Sequence, residues 1–161
     1  MTALDRHLPT VVLTFWVGAL WTMGLLIAPT LFRILPDRAL AGAVAGRLFT
    51  MVSYTGLACG TILCAHALLR FGASSLGRPL YLIVVAMLLF ALIGEFGLQP
   101  VLADLKRQAA PLEVMQSSFR GQFSAWHGAA SALYLVNCAL GLVAVVLQDR
   151  ADRPSGPATS S

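Results

Sequence analysis

Four long segments with almost no charged residue dominate the pattern of hydrophobic and polar positions along this chain. They run over Leu8–Phe32, Leu48–Leu69, Pro79–Leu102 and Gly121–Gln148. A helix needs about 20 residues to cross a hydrocarbon core of about 30 Å, so each segment is long enough to span a membrane. None of them shows the alternation of a half-buried strand. We therefore predict an all-α fold, a four-helix transmembrane bundle over residues 1–148, followed by a disordered polar tail over residues 149–161.

Prolines mark the expected ends of the predicted helices, which we number 1 to 4 along the chain. Pro9 and Pro79 suit the first turns of helices 1 and 3, because the N–H that proline lacks has no helical partner there. Pro29 predicts a kink or an early stop of helix 1 near Ala28. The long polar connection before helix 4 is broken by Pro111, and we expect a short amphipathic helix after that proline.

Small residues form a stripe along helix 2, whose lead-in is expected in the second half of the segment RILPDRALAGAVAGR. Spacing of three, four or seven places one set of small side chains on one face, where another helix backbone can approach closely. The set consists of Gly42, Gly46, Ser53, Gly56 and Gly60, with Cys64 next. A polar stripe on helix 4 has the same spacing and is expected to face the bundle; it consists of His127, Ser131, Tyr134, Cys138 and Gly141, with Asn137 beside it.

Composition agrees with a membrane protein and argues against a soluble domain. Hydrophobic residues make up 58% of the chain and charged residues 11%, and the mean hydropathy is +0.79. The net charge of +4 comes from eleven Lys and Arg residues, which lie in loops and tails where they meet lipid headgroups. The predicted partner is therefore the lipid bilayer and not nucleic acid, while a homo-oligomer or a membrane-protein partner stays open.

Polar residues from all four helices are expected at one membrane face. A serpentine path brings the end of helix 1, the start of helix 2, the end of helix 3 and the start of helix 4 together. These positions carry Arg33, Arg47, Glu95, Gln99, Arg120 and His127. At about 1.5 Å per residue, Glu95 lies about 24 Å along a helix from Pro79, or about 6 Å inside the far edge of the hydrocarbon.

A carboxylate at that depth is costly unless it is paired or protonated. We predict a polar intramembrane cluster that consists of Glu95, His127, Arg33, Arg47, Gln99 and Ser131. One interpretation is a structural lock between helices. The other is a site that handles protons or cations, since an acid beside a titratable histidine inside a membrane is a functional hypothesis by default.

Other chemistries find less support in the residues. His66 and His127 are expected about 20 Å apart along the membrane normal, so they cannot hold one haem iron together, and His7 precedes helix 1. The three cysteines and Met23, Met51 and Met87 are soft metal ligands, but no CxxC or MxxxM spacing orders them. No nucleophile elbow, P-loop or HExxH motif is present. The sequence therefore predicts no cofactor and does not favour an enzyme.

Three stretches resemble the bacterial family known as domain of unknown function 4149, which is related to the eukaryotic transmembrane protein 205 group. They are FWVGALWTMGLLIAPTLFRILPDRALAGAVAGRLF, GEFGLQP and FSAWHGAASALYLVN. The resemblance extends from about Leu8 to Leu147 and implies a four-span protein of the bacterial inner membrane. Its best-marked positions would be Pro29, Arg33, Pro36, Gly46, Phe49, Glu95, Pro100, His127, Gly128 and Ser131.

The resemblance supplies no biochemical activity, so three function classes stay open. They are a small transporter or accessory subunit, a membrane redox or haem-binding protein, and a structural partner of a larger membrane complex. Positive charges decide little about orientation, with five Lys or Arg residues at the face of the termini and six at the other. If the second group is partly drawn toward Glu95, the remaining balance predicts cytoplasmic termini.

Two substitutions of Glu95 separate a structural lock from a proton site. Breaking a buried ion pair costs about 3–5 kcal/mol, so a lock predicts that Glu95→Gln keeps more thermal stability in detergent than Glu95→Leu. A proton site predicts instead that Glu95→Gln folds well and loses function as completely as Glu95→Leu. If Glu95→Leu melts at or above the wild-type temperature, the predicted network around Glu95 is wrong in both forms, as a lock and as a proton site.

Overall fold

The computed structural model describes residues 3–110 and 113–152, and within them it contains helices and turns but no strand. Four of its helices are long and apolar enough to cross a membrane, and they cover His7–Ile34, Arg38–Phe71, Pro79–Ala109 and Arg120–Gln148. The predicted all-α bundle of four transmembrane helices is therefore confirmed.

Helices 1 and 3 each contain a π-helical turn between two α-helical segments. Helix 1 consists of Ala3–Thr22, a π turn over Met23–Ile27 and Ala28–Ile34. Helix 3 consists of Pro79–Leu92, a π turn over Ile93–Leu98 and Gln99–Ala109. Helices 2 and 4 are α-helical over Arg38–Phe71 and Arg120–Asp152.

Helix 2 begins ten residues before its apolar run, as its lead-in predicted, because Asp37 caps it. The Asp37 carboxylate accepts hydrogen bonds from the N–H groups of Ala39 at 2.8 Å and Leu40 at 3.2 Å, which satisfies two donors that a helix start leaves free. The helix ends at Gly72, whose φ of +74° favours glycine.

Both prolines of helix 1 differ from their predicted roles. The helix begins at Ala3, so Pro9 lies inside it and not in its first turn; that prediction is wrong. A proline so close to a helix start removes one main-chain hydrogen bond, and the remaining turns continue past it. At Pro29 the predicted early stop is wrong, because a π turn over Met23–Ile27 carries the helix on to Ile34; the alternative, a kink near Ala28, stays a prediction.

The sequence analysis predicted an amphipathic helix after Pro111. The amphipathic segment of the structure lies before that proline instead. Gln99–Ala109 continues helix 3 beyond the apolar run, with Leu102, Leu105 and Ala109 buried. After the proline, the described chain has only a short 3₁₀ turn over Val114–Gln116. Ser117 and its neighbours cap that turn locally, with the Ser117 hydroxyl donating to the Val114 carbonyl at 2.8 Å.

Helix 4 continues to Asp152. Residues 149–152, which the sequence analysis assigned to the tail, are therefore helical. The rest of the predicted tail, residues 153–161, lies outside the described residues.

The four helices form a ring in chain order, with helix 1 against helices 2 and 4, and helix 3 against the same two. Trp16 of helix 1 lies in the core with 1% of its surface exposed. Its indole ring packs on Gly56 and Gly60 of helix 2, two members of the predicted small-residue stripe. A Cβ atom added at Gly56 would lie 2.5 Å from Trp16 Nε1, and one added at Gly60 would lie 3.1 Å from Trp16 Cη2. These two glycines therefore allow the close approach of helices 1 and 2.

The other two predicted packing glycines have more room. The nearest atom to a Cβ at Gly42 would be Phe32 Cζ, at 3.9 Å, and nothing lies within 4 Å of one at Gly46. The outer surface of the bundle carries large apolar side chains such as Phe15, Leu69 and Leu135. An outer surface of this kind is stable when it faces lipid.

Exchanging glycine for alanine at positions 56 and 46 tests the packing of Trp16. We expect Gly56→Ala to lower the free energy of unfolding by about 1–3 kcal/mol, because the added methyl group overlaps a buried, rigid indole. Gly46→Ala is the matched control in the same helix and should raise stability by up to about 1 kcal/mol, since alanine is the better helix former. Unfolding in mixed detergent micelles measures both values, and equal effects at the two positions would contradict the packing.

Candidate functional site

The π turns of helices 1 and 3 have the same cause, a proline directly after the turn. In each case the residue before the proline bonds five residues back: the Ala28 N–H donates to the Met23 carbonyl, and the Gln99 N–H donates to the Gly94 carbonyl. Proline has no N–H, and its ring clashes with the carbonyl four residues before it. A wider π turn moves that carbonyl away, so each helix passes its proline without ending.

Each π turn leaves one main-chain carbonyl without its usual helical donors. The Gly24 carbonyl would bond the N–H of residue 28 or 29, but Ala28 bonds Met23 and Pro29 has none. The Glu95 carbonyl is in the same position, because Gln99 bonds Gly94 and residue 100 is proline. Single π turns of this kind are frequent at functional sites.

Glu95 itself lies in the π turn of helix 3 and points into the bundle. Its side chain is 9% exposed. The preceding residue, Gly94, faces Leu133 of helix 4, and the following residue, Phe96, packs edge-on against Tyr54 of helix 2 with ring centroids 6.3 Å apart. Glu95 therefore lies between helices 2 and 4, in the core.

The Glu95 carboxylate lacks a partner on one side. Its Oε2 atom is shielded from solvent and has no hydrogen-bond partner in the described part of the chain. Two other side chains there have shielded polar atoms of this kind: Asn137, through Oδ1, and His66, through both ring nitrogens. Glu95 is the acid of this set, so the cost of burial falls most heavily on it.

The other predicted cluster residues lie closer to the surface. Arg33, Arg47 and His127 are exposed, and Gln99 is half-buried. The His127 ring stacks on Phe123, with centroids 5.8 Å apart, and the exposed Ser131 hydroxyl donates to the His127 carbonyl at 2.8 Å. Within residues 3–110 and 113–152 none of them forms a hydrogen bond or ion pair with Glu95 Oε2, and their pairing with it stays a prediction.

Two hydrogen bonds join helices 1 and 4 beside this site. The Trp21 indole N–H donates to the Cys138 carbonyl at 3.2 Å, and the Tyr134 hydroxyl donates to the Leu20 carbonyl. The Tyr134 ring also lies against Gly24, in the π turn of helix 1, and edge-on to Phe49 of helix 2 at 5.0 Å between centroids. Tyr134 thus fixes helix 4 relative to helices 1 and 2.

The soft and imidazole ligands do not come together as a metal centre. Cys59 and Cys138 are buried, Cys64 is half-buried, and all three are free thiols. Among the described residues, no three His, Cys, Asp or Glu side chains form a group that would hold a metal ion.

A profile of the domain of unknown function 4149 family matches residues 11–111. The match covers more than half of the chain. The chain belongs to this family. Among curated proteins and among solved structures no match was found. The matched range of the DUF4149 family contains both π turns and Glu95, while His127, Ser131 and Asn137 lie beyond it.

Three residues important to the site were absent from the predicted cluster. Trp21 and Tyr134 carry the hydrogen bonds between helices 1 and 4, and Asn137 carries a shielded amide oxygen. The signal for Asn137 is a single amide in an otherwise apolar stretch of helix 4. Tyr134 belongs to the polar stripe of helix 4, but its acceptor is a main-chain carbonyl that no pattern marks, and for Trp21 the sequence offers no comparable signal.

Removal of the Tyr134 hydroxyl tests the link between helices 1 and 4. We expect Tyr134→Phe to lower the free energy of unfolding in micelles by about 0.6 to 1.7 kcal/mol, the range for hydrogen bonds between membrane helices. Tyr54→Phe is the control, because Tyr54 is exposed and its ring contact with Phe96 needs no hydroxyl. A loss for Tyr54→Phe as large as that for Tyr134→Phe would contradict this role.

Proposed function

We propose that this protein handles protons or small cations through Glu95, as a small transporter or the accessory subunit of one. The observation that carries the proposal is the buried Glu95 carboxylate, whose Oε2 has no hydrogen-bond partner in the described chain. An ionised acid inside a membrane helix is costly, by about 2.5–3.5 kcal/mol at the helix centre on insertion scales and by less toward the interface where Glu95 is expected. A bound proton or cation would remove that cost, and a leucine at the same position would have avoided it.

The π turn that holds Glu95 supports the same function. Interrupted membrane helices place free main-chain carbonyls beside the ion sites of many transporters. Here the carbonyl without a helical donor and the unpartnered carboxylate belong to one residue, and the π turn of helix 1 frees the Gly24 carbonyl as well. Oxygen atoms of this kind attract protons and hard cations and offer little to soft metals.

The location proposed is the inner membrane of a bacterium. Its support is the resemblance of the three sequence stretches to a bacterial family, together with four helices that match the thickness of a bilayer. A link to the eukaryotic transmembrane protein 205 group has the same status and would place the chain among proteins connected with solute movement.

Labelling with dicyclohexylcarbodiimide tests the ion site directly. This apolar reagent enters the bilayer and modifies protonated carboxyl groups, so wild-type protein in vesicles should form an adduct on the helix 3 peptide, detectable by mass spectrometry. Glu95→Gln should abolish the adduct. The yield of the adduct should fall as the pH rises, because the reagent modifies only the protonated acid. A cation that competes for the site would lower the yield at a given pH.

Asp104→Asn is the matched control, because Asp104 is an exposed acid on the same helix whose carboxylate bonds Arg107 and Gln108. The adduct should persist in this variant. Absence of an adduct in the folded wild type at every pH, or an equal yield in Glu95→Gln, would overturn the proposed function.

A further inference from the structure

Asn137 of helix 4 is the second buried side chain whose polar atom lacks a partner near the centre of the bundle. It is 5% exposed, and its Oδ1 atom has no hydrogen-bond partner among the described residues. On the helix it lies between Leu133, which faces Gly94 of helix 3, and Tyr134, which faces helix 1. Its amide therefore points inward, on the side of helix 3.

The register of helices 3 and 4 places Asn137 within one helical turn of Glu95. A Cβ atom added at Gly141 would meet Met87 at 3.4 Å, and one added at Gly94 would meet Leu133 at 3.9 Å. The two helices run in opposite directions, so the levels between these two contacts correspond in reverse order. Asn137 lies midway between Leu133 and Gly141. It therefore lies opposite Ala91, which is about midway between Gly94 and Met87. Ala91 is small and buried, and it precedes Glu95 by one turn.

The directions of the two side chains bring their ends together. In an α-helix the Cα–Cβ bonds tilt toward the helix N-terminus. Glu95 therefore leans toward the level of Ala91, and Asn137 leans toward the level of Leu133. Because the helices are antiparallel, each side chain leans toward the level of the other, next to the small Ala91 side chain.

Glu95 Oε2 and Asn137 Oδ1 are both acceptor atoms without a donor. The nearby donors of other residues are engaged: Trp21 Nε1 donates to the Cys138 carbonyl and the Tyr134 hydroxyl donates to the Leu20 carbonyl. The NH₂ group of Asn137 itself is the competing donor, and it would favour an ionised Glu95. Helix 1 contributes no titratable residue between His7 and Arg33. The titratable and charged residues of the two helices packed against the π turn are Arg38, Arg47, Tyr54, Cys59, Cys64, His66 and Arg70 on helix 2, and Arg120, His127, Tyr134, Cys138, Asp149, Arg150 and Asp152 on helix 4. Among the described side chains none of these donates a hydrogen bond to Glu95 Oε2.

A proton completes this arrangement better than a metal cation. One proton on Glu95 turns the acid into a donor and supplies the missing hydrogen bond to Asn137 Oδ1. Hard cations such as Ca²⁺ and Mg²⁺ take about six or more oxygen ligands, whereas the free oxygens here are those of Glu95, its own carbonyl and Asn137.

We infer that Asn137 accepts a hydrogen bond from protonated Glu95, so that the ion taken by this site is a proton. The inference rests on the function proposed above and names both the ion and the residue that positions it. Asn137 is a positioning residue here, because it acts on the proton through Glu95.

Infrared spectroscopy of the protein in lipid reads this hydrogen bond directly. Wild type should show the carbonyl stretch of a protonated acid at low pH, and Glu95→Gln should lack it. In Asn137→Leu the band should move to higher frequency, toward that of an acid without a hydrogen-bond acceptor. Gln148→Leu is the control: Gln148 is also a buried amide, but it bonds Thr10 at the other end of the bundle, so its loss should leave the band in place.

The isosteric variant Asn137→Asp guards against a folding defect in Asn137→Leu. Two facing carboxyl groups should share one proton and titrate in two well-separated steps. Independent titration of the two carboxyl groups in Asn137→Asp, or an unmoved carbonyl band in Asn137→Leu, would overturn the role of Asn137. If Glu95 is still labelled by the carbodiimide, the proposed function stands even so. A wild type with only carboxylate bands would overturn the proton itself, as expected if the Asn137 amide donates to an ionised Glu95.

Discussion

The absence of hydrogen-bonding water in the hydrocarbon core governs the whole structure, because every main-chain N–H and C=O there must find a partner within the protein. Continuous helices meet this demand, and helices 2 and 4 are uninterrupted over their membrane spans. Helices 1 and 3 each contain a proline near the far side of the membrane. Bonding five residues back lets both pass that proline. The result is a pair of π turns in the two helices that lie diagonally across the ring.

Two kinds of contact between helices hold this arrangement together. Helix 1 packs on helix 2 through the indole of Trp16, which needs the bare backbones of Gly56 and Gly60. Helix 1 is tied to helix 4 by hydrogen bonds from Trp21 and Tyr134 to main-chain carbonyls. Hydrophobic burial drives little association inside a bilayer, so close packing and hydrogen bonds decide how membrane helices fit together. The frame around Glu95 is built from these contacts.

Glu95 is the feature that does not suit this apolar bundle. A buried acid in a bundle of apolar helices weakens the fold unless something neutralises it. Its position in a π turn, whose own carbonyl has no helical donor, puts oxygen atoms where helix packing needs none. Proteins give up stability in this manner mainly where function requires it. Arg33, Arg47 and His127 are exposed on the outside of the bundle, and a long side chain there can extend toward lipid headgroups and water.

The sequence alone determined the all-α fold, the four spans and the place of Glu95 within the third of them, because span length and hydrophobicity depend on local composition and on the thickness of the bilayer. It also placed the small residues of helix 2 on one face. Tertiary structure decided which of them are used: Trp16 covers Gly56 and Gly60, while Gly46 has open space. It also decided the environment of Glu95. The sequence suggested Arg33, Arg47 and His127 as its partners only because these residues are expected at the same membrane face. Which side chains meet depends on the register and rotation of the helices. These follow from contacts such as that of the Trp21 indole with the Cys138 carbonyl, which leave no periodic trace in the sequence.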